Sequence, residues 1–154
     1  MLDSLKDFFS TLTGASPHSS DEDDPRVAAA ALLFHVAEAD GRASEREEET
    51  LRRVLARQFS LDADTARRIE RAGQEADAEA VDLYRFTSVL LRHLDEGERV
   101  RFVEFLWQVA LVDGTVHELE DNVVWRISEL LGVSGRDRML AKREAALQTQ
   151  GVDP

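Results

Sequence analysis

The feature that most constrains this chain is an internal repeat. A stretch reading HVAEADGRASEREEE begins at His35, and a similar one, QVALVDGTVHELEDN, begins at Gln108. Aligned without gaps, residues 34–54 and 107–127 agree at seven positions, where ordinary residue usage gives roughly one or two by chance. The identical pairs are Val36/Val109, Ala37/Ala110, Asp40/Asp113, Gly41/Gly114, Glu45/Glu118, Glu47/Glu120 and Arg53/Arg126. Each copy is typical of an apolar helix, an Asp-Gly turn and an acidic amphipathic helix.

The repeat predicts an all-α fold. Two related helical hairpins can pack their apolar helices together about a pseudo-twofold axis, and 27–37 and 102–112 are apolar on every side, as central helices are. No segment alternates as a strand does. We therefore expect a compact bundle of about seven helices. In the helix predicted over 81–94, the residues expected to share the buried face are Val81, Tyr84, Thr87, Leu91 and Leu94.

Composition divides the chain into four parts. Residues 1–14 form a predicted amphipathic helix, and 15–24 are rich in Ser, Asp and Pro, which predicts a flexible linker. The helical domain occupies 25–147, with Asp24 as the N-cap of its first helix, and 148–154 form a tail.

The N-terminal helix has an apolar stripe and a short acidic face. Peripheral contact with a membrane through residues 1–14 is conceivable, but Asp3 and Asp7 outweigh the single Lys6, which suits an anionic surface poorly. We expect it to dock on its own domain or on a protein partner. The stripe consists of Leu2, Leu5, Phe8, Phe9 and Leu12.

Charge and cysteine content exclude several classes of function. The net charge is -12, from 31 acidic and 19 basic residues, so nucleic acid lacks the basic footprint that it needs, whereas cations and basic protein surfaces fit. The chain has no cysteine, which removes disulfides, thiolate zinc sites and thiol nucleophiles and is compatible with a cytoplasmic location. No apolar run is long enough to predict a transmembrane segment.

The carboxylates after each turn have two interpretations. In the first copy Ser44 and Glu47 match a capping box, which needs no ligand. In the second copy His117 replaces the serine, so we do not expect the box there, although Asp113 and Glu120 are retained. Acids that persist without the cap favour a binding role.

The spacing Asp-Gly followed by Glu reproduces the second half of an EF-hand loop. Asp40 and Glu47 would occupy positions 5 and 12, as would Asp113 and Glu120 in the second copy, but the aspartate at position 1 is missing, which excludes a complete EF-hand. We expect two weak metal sites, Asp40 with Glu47 and Asp113 with Glu120. Oxygen ligands favour Ca²⁺, Mg²⁺ or Mn²⁺, and Zn²⁺ is less favoured, with His117 as its one argument.

The two Asp-Gly units resemble the TerB-like (tellurite-resistance protein B) family over residues 25–147, supported by FSLDAD and LGVSGRD after the two copies. The resemblance implies a seven-helix fold, bacterial origin, an acidic metal-binding surface, and a role in tellurite and other stress resistance, in the cytoplasm and near the inner face of the membrane. It carries over to Asp40, Glu47, Asp113 and Glu120. Val112 departs from the alanine expected before the second Asp-Gly.

The leading hypothesis is a non-enzymatic, cation-binding stress-response domain that mediates protein interactions with a partner that the sequence does not identify. A second is a metal-free adaptor whose acids cap helices and contact a basic or apolar partner. A third is a hydrolase, which would need Asp40 or Asp113 to have a raised pKa in a cleft. We expect carboxylates near helix N-termini to have lowered pKa values instead, which argues against it.

Overall fold

The computed structural model describes residues 24–80, 82–114 and 116–151, with side chains as far as Gln148. These residues form seven α-helices and no strand, which confirms the predicted all-α class. The predicted N-terminal helix and linker lie outside the described residues, apart from Asp24. The helices are α1 (Pro25–Ala37), α2 (Glu45–Phe59), α3 (Ala63–Glu79), α4 (Tyr84–His93), α5 (Glu96–Ala110), α6 (Glu118–Leu130) and α7 (Gly135–Gly151).

Helix α1 is the centre of the bundle. All of its residues except His35 are buried, because small or apolar side chains cover every side of the helix. It begins as predicted: Asp24 accepts a hydrogen bond from the backbone N–H of Arg26 at 2.8 Å, and Pro25 occupies the first turn. It contacts every helix from α2 to α6, so the rest of the fold is assembled around it.

A glycine sets the distance between α1 and α3. A Cβ atom added at Gly73 would lie 2.8 Å from the backbone carbonyl carbon of Ala30 and would also collide with the Ala30 methyl group. The run of alanines in α1 and this glycine in α3 therefore allow the two backbones to approach closely. Arg52 of α2 joins the same layer, with its Nε 2.9 Å from Oε1 of Glu70 in α3.

The second hairpin packs α5 against α6 and α7. Trp107 of α5 is 1% exposed and its Nε1 donates a hydrogen bond to the carbonyl oxygen of Arg138 at 3.2 Å, which is the core role predicted for an apolar-helix tryptophan. Helix α7 continues to Gly151, past Leu147, where the sequence analysis placed the start of the tail.

The prediction for α4 was wrong in its start and in its buried face. The helix begins at Tyr84, whose backbone N–H donates to Oδ1 of Asp82 at 2.9 Å, and Tyr84 and Leu91 are exposed. Leu83, Phe86 and Leu90 are buried instead. Their i, i+3, i+7 stripe is more apolar than the one we expected, so the helix is rotated by about one position.

Among the helices that the structure describes, none is both long and apolar enough to span a bilayer.

Candidate functional site

The two Asp-Gly turns have the same backbone geometry. Gly41 has φ +125° and Gly114 has φ +96°, a region that favours glycine over residues with a side chain. The N–H of Gly41 donates to the carbonyl oxygen of Glu38 at 2.9 Å, and that of Gly114 donates to Leu111 at 2.8 Å. The glycine in each copy is therefore explained by the end of the apolar helix.

Both acidic helices begin with a reciprocal cap. In α2 the Ser44 N–H donates to Oε1 of Glu47 at 2.7 Å, and the Glu47 N–H donates to Oγ of Ser44 at 3.1 Å. In α6 the His117 N–H donates to Oε1 of Glu120 at 3.1 Å, while Nδ1 of His117 accepts from the Leu119 N–H at 3.2 Å. The expectation that the second copy has no capping box was wrong, because a neutral imidazole nitrogen accepts in place of the hydroxyl.

The two capping glutamates meet in the interior. Glu47 is 4% exposed and Glu120 is 3% exposed, and each is at the third position of a helix from a different hairpin. The carboxyl of Glu120 faces that of Glu47. Oε1 of Glu120 is held by the cap, but its Oε2 is buried and receives no well-directed hydrogen bond. The glutamates of the two predicted sites therefore form one buried pair.

The two aspartates lie at the surface around this pair. Asp40 is exposed but is near enough to act electrostatically on Glu120. The side chain of Asp113 is 53% exposed, and its Oδ1 lies 3.9 Å from Nη1 of Arg46, which belongs to the other hairpin. In the described ranges, no three His, Cys, Asp or Glu side chains converge as a ready-made ligand set.

The repeat, the two turns and the helical bundle point to one family. A profile of the family described as Tellurite resistance protein TerB matches residues 26–143. The chain belongs to the TerB family. The matched segment contains both Asp-Gly turns, so the resemblance seen in the sequence is confirmed. Comparison with curated proteins gave no match, and comparison with solved structures gave none.

In this TerB domain the glutamate of the second copy is difficult to ionise. Burial is the largest cause, followed by the adjacent carboxyl of Glu47, and together they raise the pKa of Glu120 to about 8. The His117 backbone N–H acts in the opposite direction, and Asp40 adds a smaller rise. The expectation of a lowered pKa near a helix N-terminus is therefore wrong for Glu120, because desolvation and a like charge outweigh the cap.

A histidine-lined cavity of about 550 Å³ adjoins the first turn of the TerB domain. Nδ1 of His35 lies 2.8 Å from Oδ1 of Asp77 in α3, so this histidine pairs with a carboxylate. Burial, and then the charge of Asp77, raise the pKa of Glu38 beside it. The α3 contribution was not foreseen, because nothing in the local sequence relates residues so far apart.

Proposed function

We propose that this TerB domain is a non-enzymatic interaction domain in which one divalent cation binds between Glu47 and Glu120 and joins the two hairpins. The observation that carries the proposal is the buried Oε2 of Glu120, which faces a second buried carboxyl and lacks a hydrogen-bond donor. A buried polar atom without a partner is rare and indicates an unmodelled ion or water in many proteins.

The charge around the pair supports a cation. Within the described residues, neither Glu47 nor Glu120 forms an ion pair with Arg or Lys, although four ion pairs of a carboxylate with such a group occur elsewhere. Two buried like charges need a counter-charge or a shared proton. A cation between the carboxylates would supply that charge and would bind Oε2 of Glu120 at the same time.

The donor chemistry selects a hard cation held weakly. Carboxylate oxygens suit Ca²⁺, Mg²⁺ and Mn²⁺, and with two protein carboxylates most of the coordination shell would be water. Asp40 and Asp113 at the surface would add to the negative field. Zn²⁺ is less favoured because Nδ1 of His117 already accepts the Leu119 N–H. We expect a dissociation constant of roughly 10⁻⁴–10⁻³ M, as for the weaker calcium modules.

The position of the pair supports a structural role for the ion. Glu120 is 3% exposed, so its carboxyl is not placed to contact a substrate, and the chain has no cysteine nucleophile. Because the ion would join α2 to α6, its binding would alter how firmly the two hairpins hold together and thereby the surface offered to a protein partner. A role in tellurite resistance and related bacterial stress is supported by the family alone.

Calorimetric titration of the full chain with Ca²⁺, Mg²⁺, Mn²⁺ and Zn²⁺ tests the site. We expect saturable binding of one ion to the wild type, and its loss in Glu120→Gln. Glu98→Gln is the matched control, because Glu98 closes the same type of capping box at the exposed start of α5. Binding that survives in Glu120→Gln, or that is lost equally in Glu98→Gln, contradicts the proposal.

An Asp40→Asn/Asp113→Asn double variant measures the contribution of the surface aspartates. If they act through the field alone, affinity falls by a few fold and one site remains. If they are ligands of two separate sites, as the sequence analysis predicted, the wild type binds two ions and the double variant loses both.

The alternative is a metal-free adaptor, which the capping boxes favour, since they account for the positions of both glutamates without any ligand. In that case none of the four ions binds saturably, and Asp40→Asn weakens a partner protein instead of a metal. Affinity capture with wild-type and Asp40→Asn chains, in EDTA, then identifies the partner by its selective loss.

A further inference from the structure

Helix α7 buries its small side chains and exposes its large apolar ones. Ala141 and Ala145, which face the core, are 4% and 0% exposed. Met139, Leu140 and Leu147 are 54%, 47% and 57% exposed. An amphipathic surface helix normally has the opposite arrangement. The outer face of α7 therefore has the composition of a buried surface.

The exposed face of α7 forms a shallow, mainly apolar hollow of about 470 Å³ with a basic rim. Lys142 on the rim is already engaged, with its Nζ 3.4 Å from Oδ1 of Asp121 and over the ring of Trp107. Arg136 and Arg143, two helical turns apart, flank the apolar residues. The lining residues are Arg136, Met139, Leu140, Lys142, Arg143 and Ala146. A partner for this face should be apolar along one stripe and acidic beside it.

We propose that residues 1–14 of the same chain pack as a helix against this outer face of α7. Their predicted apolar stripe, which includes Leu5 and Phe8, matches the exposed Met139 and Leu140 in character. Asp3 and Asp7 give the segment the acidic charge that the arginines of α7 lack.

The connection is long enough for docking within one chain. The ten-residue linker 15–24 spans at most about 35 Å, and a domain of this size has a radius of gyration of about 14 Å. A short tether also gives the segment an effective concentration in the millimolar range, which favours docking in cis over capture by a second copy. The acidic face makes an anionic membrane the poorer occupant.

A single spin label on the full chain tests the proposal, because the absence of native cysteine makes the labelling specific. With the label on Ser10→Cys, we expect amide signals of residues 136–146 to lose intensity several-fold relative to the reduced label. Signals around Leu91, an exposed leucine of α4, should change much less. Loss of intensity at neither place, or equally at both, overturns the proposal.

Two further samples separate the other occupants. In a mixture of spin-labelled chains without isotope and isotope-labelled chains without cysteine, loss of intensity in α7 means that a second copy is bound, which overturns docking in cis. Phosphatidylglycerol vesicles that abolish the effect at low protein concentration assign the segment to a membrane and also overturn it. A Met139→Gln/Leu140→Gln variant should remove the broadening, whereas Tyr84→Gln on α4 should keep it.

Discussion

Two regions of this domain use the same local motif in opposite environments. At the start of α5, the Asp95 N–H donates to Oε1 of Glu98 at 2.9 Å and the Glu98 N–H donates to Oδ1 of Asp95 at 2.8 Å, and both residues are exposed. At the starts of α2 and α6, Glu47 and Glu120 make equivalent caps but are buried against each other. The same hydrogen bonds thus form a cap in one place and a cap with a buried acid pair in the other.

The difference between these regions comes from the packing of the repeat. The helices that begin at the two Asp-Gly turns bring their first turns together, as the contact of Arg46 with Asp113 also shows. Helix α5 begins instead after the exposed end of α4. Local sequence sets the cap, and the neighbour across the hairpin interface sets its electrostatics.

The largest expected effect is a fall in stability with rising pH in the metal-free protein. The Glu120 carboxyl has an ordinary pKa of 4.5, which the fold raises to about 8. Between those pH values the folded chain binds more protons than the unfolded chain, so the free energy of unfolding falls as pH rises. Urea unfolding in EDTA should show a loss of roughly 2–4 kcal/mol from pH 5 to pH 8. Stability that is flat or rises over this range would contradict the buried pair.

The next effect separates Glu120 from the exposed Glu98. Glu120→Gln keeps the cap, since an amide oxygen accepts as a carboxylate does, and its NH₂ group can donate to Glu47. At pH 8 it should raise the free energy of unfolding by roughly 2 kcal/mol and at pH 5 change it little. Glu98→Gln should stay within about 0.5 kcal/mol of the wild type at both values. Equal responses of the two variants would mean that burial does not distinguish the sites.

The smallest effect compares the two unlike caps of the repeat. Ser44→Ala should cost about 1 kcal/mol of stability. His117→Ala should cost less, roughly 0.5 kcal/mol, because its Nδ1 bond to the Leu119 N–H is long at 3.2 Å and lies at an exposed position. Thermal unfolding in EDTA gives the comparison. A greater loss for His117→Ala, seen only when Zn²⁺ is added back, would instead assign the histidine to metal.

Much of the fold could be predicted because it depends on local patterns. The apolar helix over 27–37, the Asp24 and Ser44 caps and the glycine turns follow from residue types at fixed spacings, and each is found as expected. The face of α4 could not be chosen from its own sequence, since two stripes compete there. The close approach at Gly73 depends on Ala30 of a distant helix.

The sequence by itself determined which residues could form the candidate site, because the repeat marks Asp40, Glu47, Asp113 and Glu120 twice over. It did not determine how they group. Pairing by sequence neighbours gave two exposed turn sites, whereas the packed hairpins place Glu47 beside Glu120 and leave both aspartates outside. Tertiary structure decided this because desolvation and the approach of like charges act between groups close in space, whatever their separation along the chain.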